Sequence, residues 1–329
     1  MPRYKLATLT TTQKVLKSTF YNFLANIIGR IGGLIFTIIV ARTLYPEFFG
    51  IYSLTLTVVL TVATFTDLGI NATLIRYLSE SLKKKTKETE TEARSRLYFL
   101  LNFKIVLTAV IAIALFLLAE SIAVHIFKKP LLALPFQIGS IYLFTISIQG
   151  FFSSIFYALQ KIQYSTISEI IFQVLRIILI IFLLNIHKNV GTVFITLTIA
   201  LFISFLFLYS ILFKNYVFLI KGEIIKLEKQ ERKRLLSFFG WLTISSISLV
   251  FFVHVDTFML GIFLPSEFVG FYHSIFSIVG AVAAFVSFGS VLLPVFTQLE
   301  QGKLERGFKK VFRYVSLISV PAAIGLAYI

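Results

Sequence analysis

Ala41-Arg42-Thr43-Leu44-Tyr45-Pro46-Glu47-Phe48-Phe49-Gly50-Ile51-Tyr52 returns about 220 residues later as Leu260-Gly261-Ile262-Phe263-Leu264-Pro265-Ser266-Glu267-Phe268-Val269-Gly270-Phe271-Tyr272. Both copies carry a Pro-Glu-Phe-x-Gly-x-Tyr turn between two apolar runs, with one extra residue in the second. Each turn joins the end of one predicted helix to the start of the next. A repeated helical hairpin in a very apolar chain predicts two related membrane bundles, an architecture used by transporters.

The composition agrees with a bilayer solvent. Hydrophobic residues make up 57% of the chain, charged residues 14%, and there are 37 phenylalanines; mean hydropathy is +0.90. A soluble chain would carry about a quarter charged residues. The apolar runs reach about 20 residues, enough to cross a hydrocarbon core of ~30 Å. The first is too long for a signal peptide and lacks a small-residue cleavage site. There are no cysteines, which excludes disulfides and thiolate metal sites. The four histidines lack metal-ligand spacing.

We read spans at 18–41, 48–72, 97–119, 136–159, 164–186, 191–213, 237–261, 269–293 and 313–329. The net charge of +16 then sorts by side. Of 31 Lys and Arg residues, 24 lie in the N-terminal tail and alternate loops, against four in the opposite loops (Arg42, Lys128, Lys129 and Lys188). This asymmetry predicts a cytoplasmic N-terminus. It also assigns the basic charge to topology and anionic lipid heads rather than to nucleic acid. The expected location is the cytoplasmic (inner or plasma) membrane.

Three domains follow: a six-helix bundle with its cytoplasmic tail over 1–213, a cytoplasmic linker over 214–236, and the start of a second bundle over 237–329. Aligned at Gly50 and Gly270, span seven corresponds to span one and span eight to span two. Gly69 then matches Gly289, and Glu80 matches Glu300. An even number of spans per unit makes the repeat parallel. The expected fold is therefore an all-α integral membrane protein of about nine helices, its first bundle complete and its second truncated. Leu6–Leu16 is a mildly amphipathic candidate for the inner surface. Ser79–Arg96 reads either as a helical extension or as a solvated charged linker. Ser121–Pro135 is expected to lie against the membrane as a short interfacial segment. Lys161–Gln163 leaves room only for a tight hairpin.

Polar side chains in the bilayer are costly and turn toward protein or a wet cavity. In span one, Asn22, Asn26 and Arg30 at i, i+4 and i+8 share one helix face. Gly29, Gly32 and Gly33 beside them permit close helix approach. Thr166, Glu169, Gln173 and Arg176 form a second stripe in span five. Together the stripes predict a basic hydrophilic cavity in which Arg30 and Arg176 hold an anionic head group. The competing reading pairs these arginines with Glu169 or with carbonyls. Lys104 joins the candidate substrate-binding set, although its stem is long enough to snorkel to the inner interface. His273 is a candidate from the second half. Asp256, with His254 nearby, is the candidate for coupling to a Na+ or H+ gradient. Asp67 and Arg76 read as structural. No catalytic constellation or phosphate-cradling loop stands out, and no cofactor is expected.

The first hairpin, with Thr66-Asp67-Leu68-Gly69-Ile70 and Ile75-Arg76-Tyr77, resembles that of the polysaccharide biosynthesis flippases. These belong to the multidrug/oligosaccharidyl-lipid/polysaccharide exporter superfamily. Asp256-Thr257-Phe258-Met259-Leu260-Gly261, the second hairpin and Leu293-Pro294 resemble the opening of that family's second bundle. Leu159-Gln160-Lys161-Ile162-Gln163-Tyr164 resembles its short inner turn. The resemblance implies two six-helix bundles around a basic cavity, exporting a polyprenyl- or dolichyl-linked oligosaccharide by alternating access. It implies pyrophosphate binding by Arg30 and Arg176, a cation site at Asp256, and other polysaccharide-assembly proteins as partners. A cation-coupled multidrug exporter of the same fold is the first alternative, and Arg30 in place of a span-one carboxylate argues against it. A membrane-embedded glycosyl- or acyltransferase is the second.

Overall fold

The computed structural model describes residues 11–82, 86–225 and 227–286, with 313, 316 and 321 as isolated positions. The expected ninth span, the Gly289 and Glu300 matches, Lys83 to Lys85 and the start of the tail segment lie outside the described stretches. Among the described residues the chain is all-helical, without strands. The elements are α1 (Thr11–Thr43), α2 (Pro46–Asp67), α3 (Ile70–Ser81), α4 (Lys87–Ser121), α5 (Ala133–Ala158), α6 (Ile162–Ile186), α7 (Val190–Asn215), the short α8 (Val217–Ile220), α9 (Lys229–Phe263) and α10 (Ser266–Val286).

Six described helices are long and apolar enough to cross a membrane, and they coincide with spans one to six. α9 and α10 occupy the positions of spans seven and eight. Both repeated turns form the same corner, with Pro46 at the start of α2 and Pro265 just before α10. Pro suits a helix start because its missing N–H is not needed there.

Three segments gain detail. The single second span is broken: α2 ends at Asp67, Leu68 and Gly69 are both left-handed, and α3 begins at Ile70. Gly69 tolerates that conformation without strain, whereas Leu68 is held there by its context. The described residues of Ser79–Arg96 are mostly helical, in line with the helical-extension reading. Thr86 and Thr89 cap each other reciprocally at the start of α4, which extends the third span into its charged end. Ser121–Pro135 is taken up by helix ends and turns. α4 continues through a π turn at Ile122–Ile126, and a 3-10 turn at Pro130–Leu132 leads into α5. The tight turn after α5 is present, with Gln160 left-handed between Leu159 and Lys161.

Two apolar clusters fill the first six spans. One gathers Phe36, Tyr52, Phe136, Phe194 and neighbours; the other gathers Leu74, Leu100, Phe151, Phe156 and Leu208. Many buried hydroxyls bond to a carbonyl or to another hydroxyl, as a dry interior favours, whereas Thr55 and Thr108 Oγ1 have no hydrogen-bond partner among the described residues. Ser53, Thr57 and Thr61 donate back to the carbonyls of Phe49, Ser53 and Thr57 along α2. Ser168 and Ser204 bond at 2.6 Å between α6 and α7, and Thr66 and Ser147 at 2.7 Å between α2 and α5.

Candidate functional site

The polar stripe of α6 lies along the glycine face of α1. Thr166 Oγ1 donates to the Tyr21 carbonyl at 3.0 Å. A Cβ built on Gly29 would sit 3.2 Å from Glu169 Oε1, one on Gly32 only 2.3 Å from Gln173 Oε1, and one on Gly33 3.5 Å from Arg176 Nη2. Gly29 and above all Gly32 therefore admit polar side chains directly against the α1 backbone, whereas Gly33 leaves ordinary space beside Arg176. Gln173 Nε2 donates to Glu169 Oε1 at 2.5 Å. Gln173 Oε1 and Arg176 Nε are buried without a hydrogen-bond partner among the described residues.

Arg176 is gripped by aromatic faces. Its guanidinium carbon lies 4.9 Å from the ring centroids of both Phe36 and Phe172, an arrangement stabilised by cation–π attraction. Tyr142, Tyr52 and Glu169 lie within its electrostatic reach. Tyr52 also meets His273 edge-on, with ring centroids 6.3 Å apart. His273 packs on Phe49 as well, so it sits among the rings of α2.

The α1 stripe has different partners. Arg30 Nη1 donates to the Gly280 carbonyl of α10 at 2.8 Å and stays exposed. It thus bridges the first six spans and the second half. Asn26 Nδ2 donates to the Asn22 carbonyl, and Asn22 Oδ1 accepts from Tyr157 at 3.2 Å. The two stripes thus meet on α1, but Arg30 and Arg176 hold different partners.

Lys104 does not snorkel. It is 1% exposed, and its Nζ donates to the Thr66 carbonyl at 2.9 Å and lies 3.6 Å from Asp67 Oδ1. The broken end of α2 supplies a free carbonyl and a carboxylate, which draw the ammonium inward rather than toward the interface. Asp256 is exposed and accepts from Tyr272 at 3.0 Å, beside a crevice of about 380 Å³ lined by Met259, Phe263 and Leu264. Among the described residues, no three His, Cys, Asp or Glu side chains gather in a metal-holding group.

The tips of the repeated hairpins dock on one another. A Cβ on Gly50 would lie 1.8 Å from the Ser266 carbonyl oxygen, and one on Gly270 would lie 2.9 Å from the Phe49 ring and 3.2 Å from Gly50 N. Beside them Lys129 Nζ donates to the carbonyls of Gly261 at 2.6 Å and Leu264 at 2.7 Å. It caps the end of α9, where a cation is favoured. Burial pushes the Lys129 ammonium below the ordinary lysine range. At the other end, Arg96 pairs with Glu231 at 2.6 Å and donates to Ser81 Oγ at 2.7 Å, tying α4 to α9. Sequence reading missed Lys129, Arg96 and the Phe36–Phe172 clamp. Only Phe172, four residues before Arg176 on the same face, left a visible signal.

These features define a multi-pass helical membrane protein whose fold is shared with solved transporters. The chain matches 94% of itself to 71% of a structure titled as the inward-facing conformation of a multidrug resistance MATE family transporter of the MOP superfamily, at 17% identity and a TM-score of 0.56. It matches 98% of itself to 73% of the MATE multidrug transporter DinF-BH, solved as a complex, at 14% identity and a TM-score of 0.57. A third match, MATE in complex with Br-NRF, has 13% identity, coverage of 97% and 77%, and a TM-score of 0.52. No curated protein matches the chain. The sequence itself matches the polysaccharide biosynthesis protein family over residues 15–300, and the chain belongs to that family.

Proposed function

We propose that this chain translocates a polyprenyl- or dolichyl-(pyro)phosphate-linked oligosaccharide across the cytoplasmic membrane, for surface polysaccharide or glycan assembly. The observation that carries the reading is the bond from Arg30 to Gly280 between the two halves. A neutral carbonyl is a weak partner for a guanidinium, and a phosphate offers charge-assisted, bidentate bonding instead. An anionic head group therefore competes for Arg30 and loosens one tie between the halves. Arg176 supplies a second cation, preset by Phe36 and Phe172. Glu169, Gln173, Asn22 and Asn26 offer hydrogen bonds to sugar hydroxyls.

In this reading the N-terminus is cytoplasmic, the hairpin tips face outward, and nine spans divide into a bundle over 1–213, a linker over 214–236 and a second bundle from 237. Asp256 is the proposed coupling position for Na+ or H+, and the partners are membrane lipids, the lipid-linked sugar and other polysaccharide-assembly proteins.

Translocation of a fluorescent polyprenyl-pyrophosphate sugar into proteoliposomes tests the proposal. Arg30→Ala and Arg176→Ala should each slow transport at least about tenfold, because hydrogen bonds to charged groups are worth about 1.5–3 kcal/mol. Equal rates in all three proteins would remove the arginines from the site. Extrusion of a cationic dye with no sugar-lipid transport would favour the drug-exporter alternative.

A further inference from the structure

We propose that residues 217–225 form a strap fastened to the first bundle by Arg94, and that the neighbouring Arg96–Glu231 pair is a releasable latch between α4 and α9. The inference takes the motion between the halves from the transporter reading above and requires nothing about the cargo.

The strap is built on one face of α4. Arg94 and Tyr98, four residues apart, share that face, and Ser95 lies beside them. Arg94 is 6% exposed. Its Nε and Nη2 donate to the Phe218 carbonyl, and its Nη1 donates to the Glu223 carbonyl at 2.8 Å. Tyr98 Oη donates to the Ile220 carbonyl at 2.9 Å, and Ser95 Oγ accepts from the Ile225 N–H at 2.9 Å. A helix as short as α8 leaves carbonyls outside any helical ladder, and the side chains of α4 satisfy them. Leu219 adds an apolar anchor, fully buried with Leu97, Leu100, Leu208 and Leu212. Gly222, at φ 137°, lets the chain pass the guanidinium: a Cβ there would lie 2.3 Å from Arg94 Nη1.

The two arginines differ in what release would cost. Arg94 is buried and its acceptors are strap carbonyls, so undocking the strap strands a guanidinium without partners, a costly state. Arg96 is held from both sides. It pairs with Glu231 of α9 at 2.6 Å, and within its own bundle it meets Ser81 Oγ at 2.7 Å and Glu92 at 3.8 Å. The Arg96 and Glu231 side chains are 17% and 28% exposed. A cavity of about 590 Å³, lined by both and by Gln230, Lys233 and Ser237, opens beside them. Arg96 therefore keeps two partners when Glu231 leaves, and Glu231 leaves toward solvent. The strap stays and the latch opens.

Chain order couples the two. Ile225 is held on α4 shortly before α9 begins at Lys229, so the strap fixes where α9 starts and keeps Glu231 within reach of Arg96. The latch lies at the end of α4 opposite the docked hairpin tips. Its release with the tips in contact is a rocking of α9 about those tips, a hinge motion of the kind that opens clefts.

Two readouts in proteoliposomes without cargo test the proposal. Hydrogen–deuterium exchange over 217–225 reads the strap. Spin labels at Glu80→Cys on α3 and Lys229→Cys at the start of α9, in a chain without cysteines, read the latch. Glu231→Gln should raise the ratio of separated to latched molecules about two- to fivefold, the scale of a partly exposed ion pair, and leave strap exchange unchanged. Arg96→Glu with Glu231→Arg should restore the wild-type ratio. Arg94→Met should speed strap exchange at least about tenfold and also raise the separated fraction, although the latch pair is intact. Tyr98→Phe, which deletes one bond and keeps the packing, should do both by less. A ratio unmoved by Glu231→Gln, or a charge swap that does not restore it, would overturn the latch. Strap exchange unmoved by Arg94→Met and Tyr98→Phe, or faster exchange with the ratio unmoved, would overturn the strap. Failure of sugar-lipid transport with these responses intact would count against the cargo alone.

Discussion

Gly50 of α2 lies so close to Ser266 at the start of α10 that a methyl group in place of its hydrogen would sit 1.8 Å from the Ser266 carbonyl oxygen and 2.3 Å from its carbon. Both clashing atoms are backbone, so no rotamer change relieves them. Gly50→Ala must push the hairpin tips apart. Overpacking costs of about 1–3 kcal/mol shift the docked population by about fivefold or more. Spin labels at Tyr45→Cys and Glu267→Cys, in a chain without cysteines, should report the longer separation. Gly270→Ala should act more weakly, because its nearest obstacle is the Phe49 ring at 2.9 Å. Unchanged distances in Gly50→Ala would mean that the tips are not in contact in the bilayer.

The seam between α1 and α6 makes a paired prediction. On Gly32 a Cβ meets not only Gln173 Oε1 but also the Gln173 Cβ, at 3.1 Å, whereas on Gly33 it meets only Arg176 Nη2 at an ordinary 3.5 Å. Gly32→Ala should lower the thermal midpoint of the detergent-solubilised protein by several degrees, as about 1–3 kcal/mol of overpacking implies. Gly33→Ala should melt close to wild type. The reverse order would contradict the packing of the glutamine on α1.

Lys129 should make the hairpin-face closure sensitive to alkaline pH. Burial holds its ammonium below the ordinary lysine range while the tips are docked, and exposure on opening restores about 10.4. The docked form thus binds its proton less tightly. The penalty on docking is fully present below the lowered value and is relieved as pH rises toward the ordinary one. The docked fraction of the spin-labelled pair should therefore rise with pH in that alkaline window, and Lys129→Met should flatten the rise. A fall instead would mean that the charged cap on Gly261 and Leu264 outweighs its burial.

Local periodicity and repetition carried the fold. The Pro-Glu-Phe-x-Gly-x-Tyr copies mark two corners, and the stripes ending in Arg30 and Arg176 follow from helical spacing alone. Features set by partners distant in the chain did not show. Hydropathy averages across Leu68-Gly69, so a break inside an apolar run has no signature. A lone lysine reads as snorkelling until the Thr66 carbonyl and Asp67 are seen beside it. The Gly50–Ser266 contact joins residues from opposite halves, and only the repeat hinted that both copies share a purpose.

Arg176 separates charge from shape in the proposed head-group site. Arg176→Lys keeps the cation but loses the planar group that fills the space between Phe36 and Phe172, each 4.9 Å from its guanidinium carbon. Arginine and lysine are not equivalent at a stacked site, and each cation–π contact is worth about 0.5–2 kcal/mol. If the clamp orients the guanidinium toward phosphate, Arg176→Lys should slow sugar-lipid transport about tenfold, and Phe36→Leu should slow it less but in the same direction. The initial rate in proteoliposomes, at matched protein incorporation, measures both. Combining Phe36→Leu with Arg176→Lys should add little, because the clamp has no guanidinium left to hold. Full activity of Arg176→Lys would show that only positive charge is needed there, and the aromatic clamp would then be packing alone.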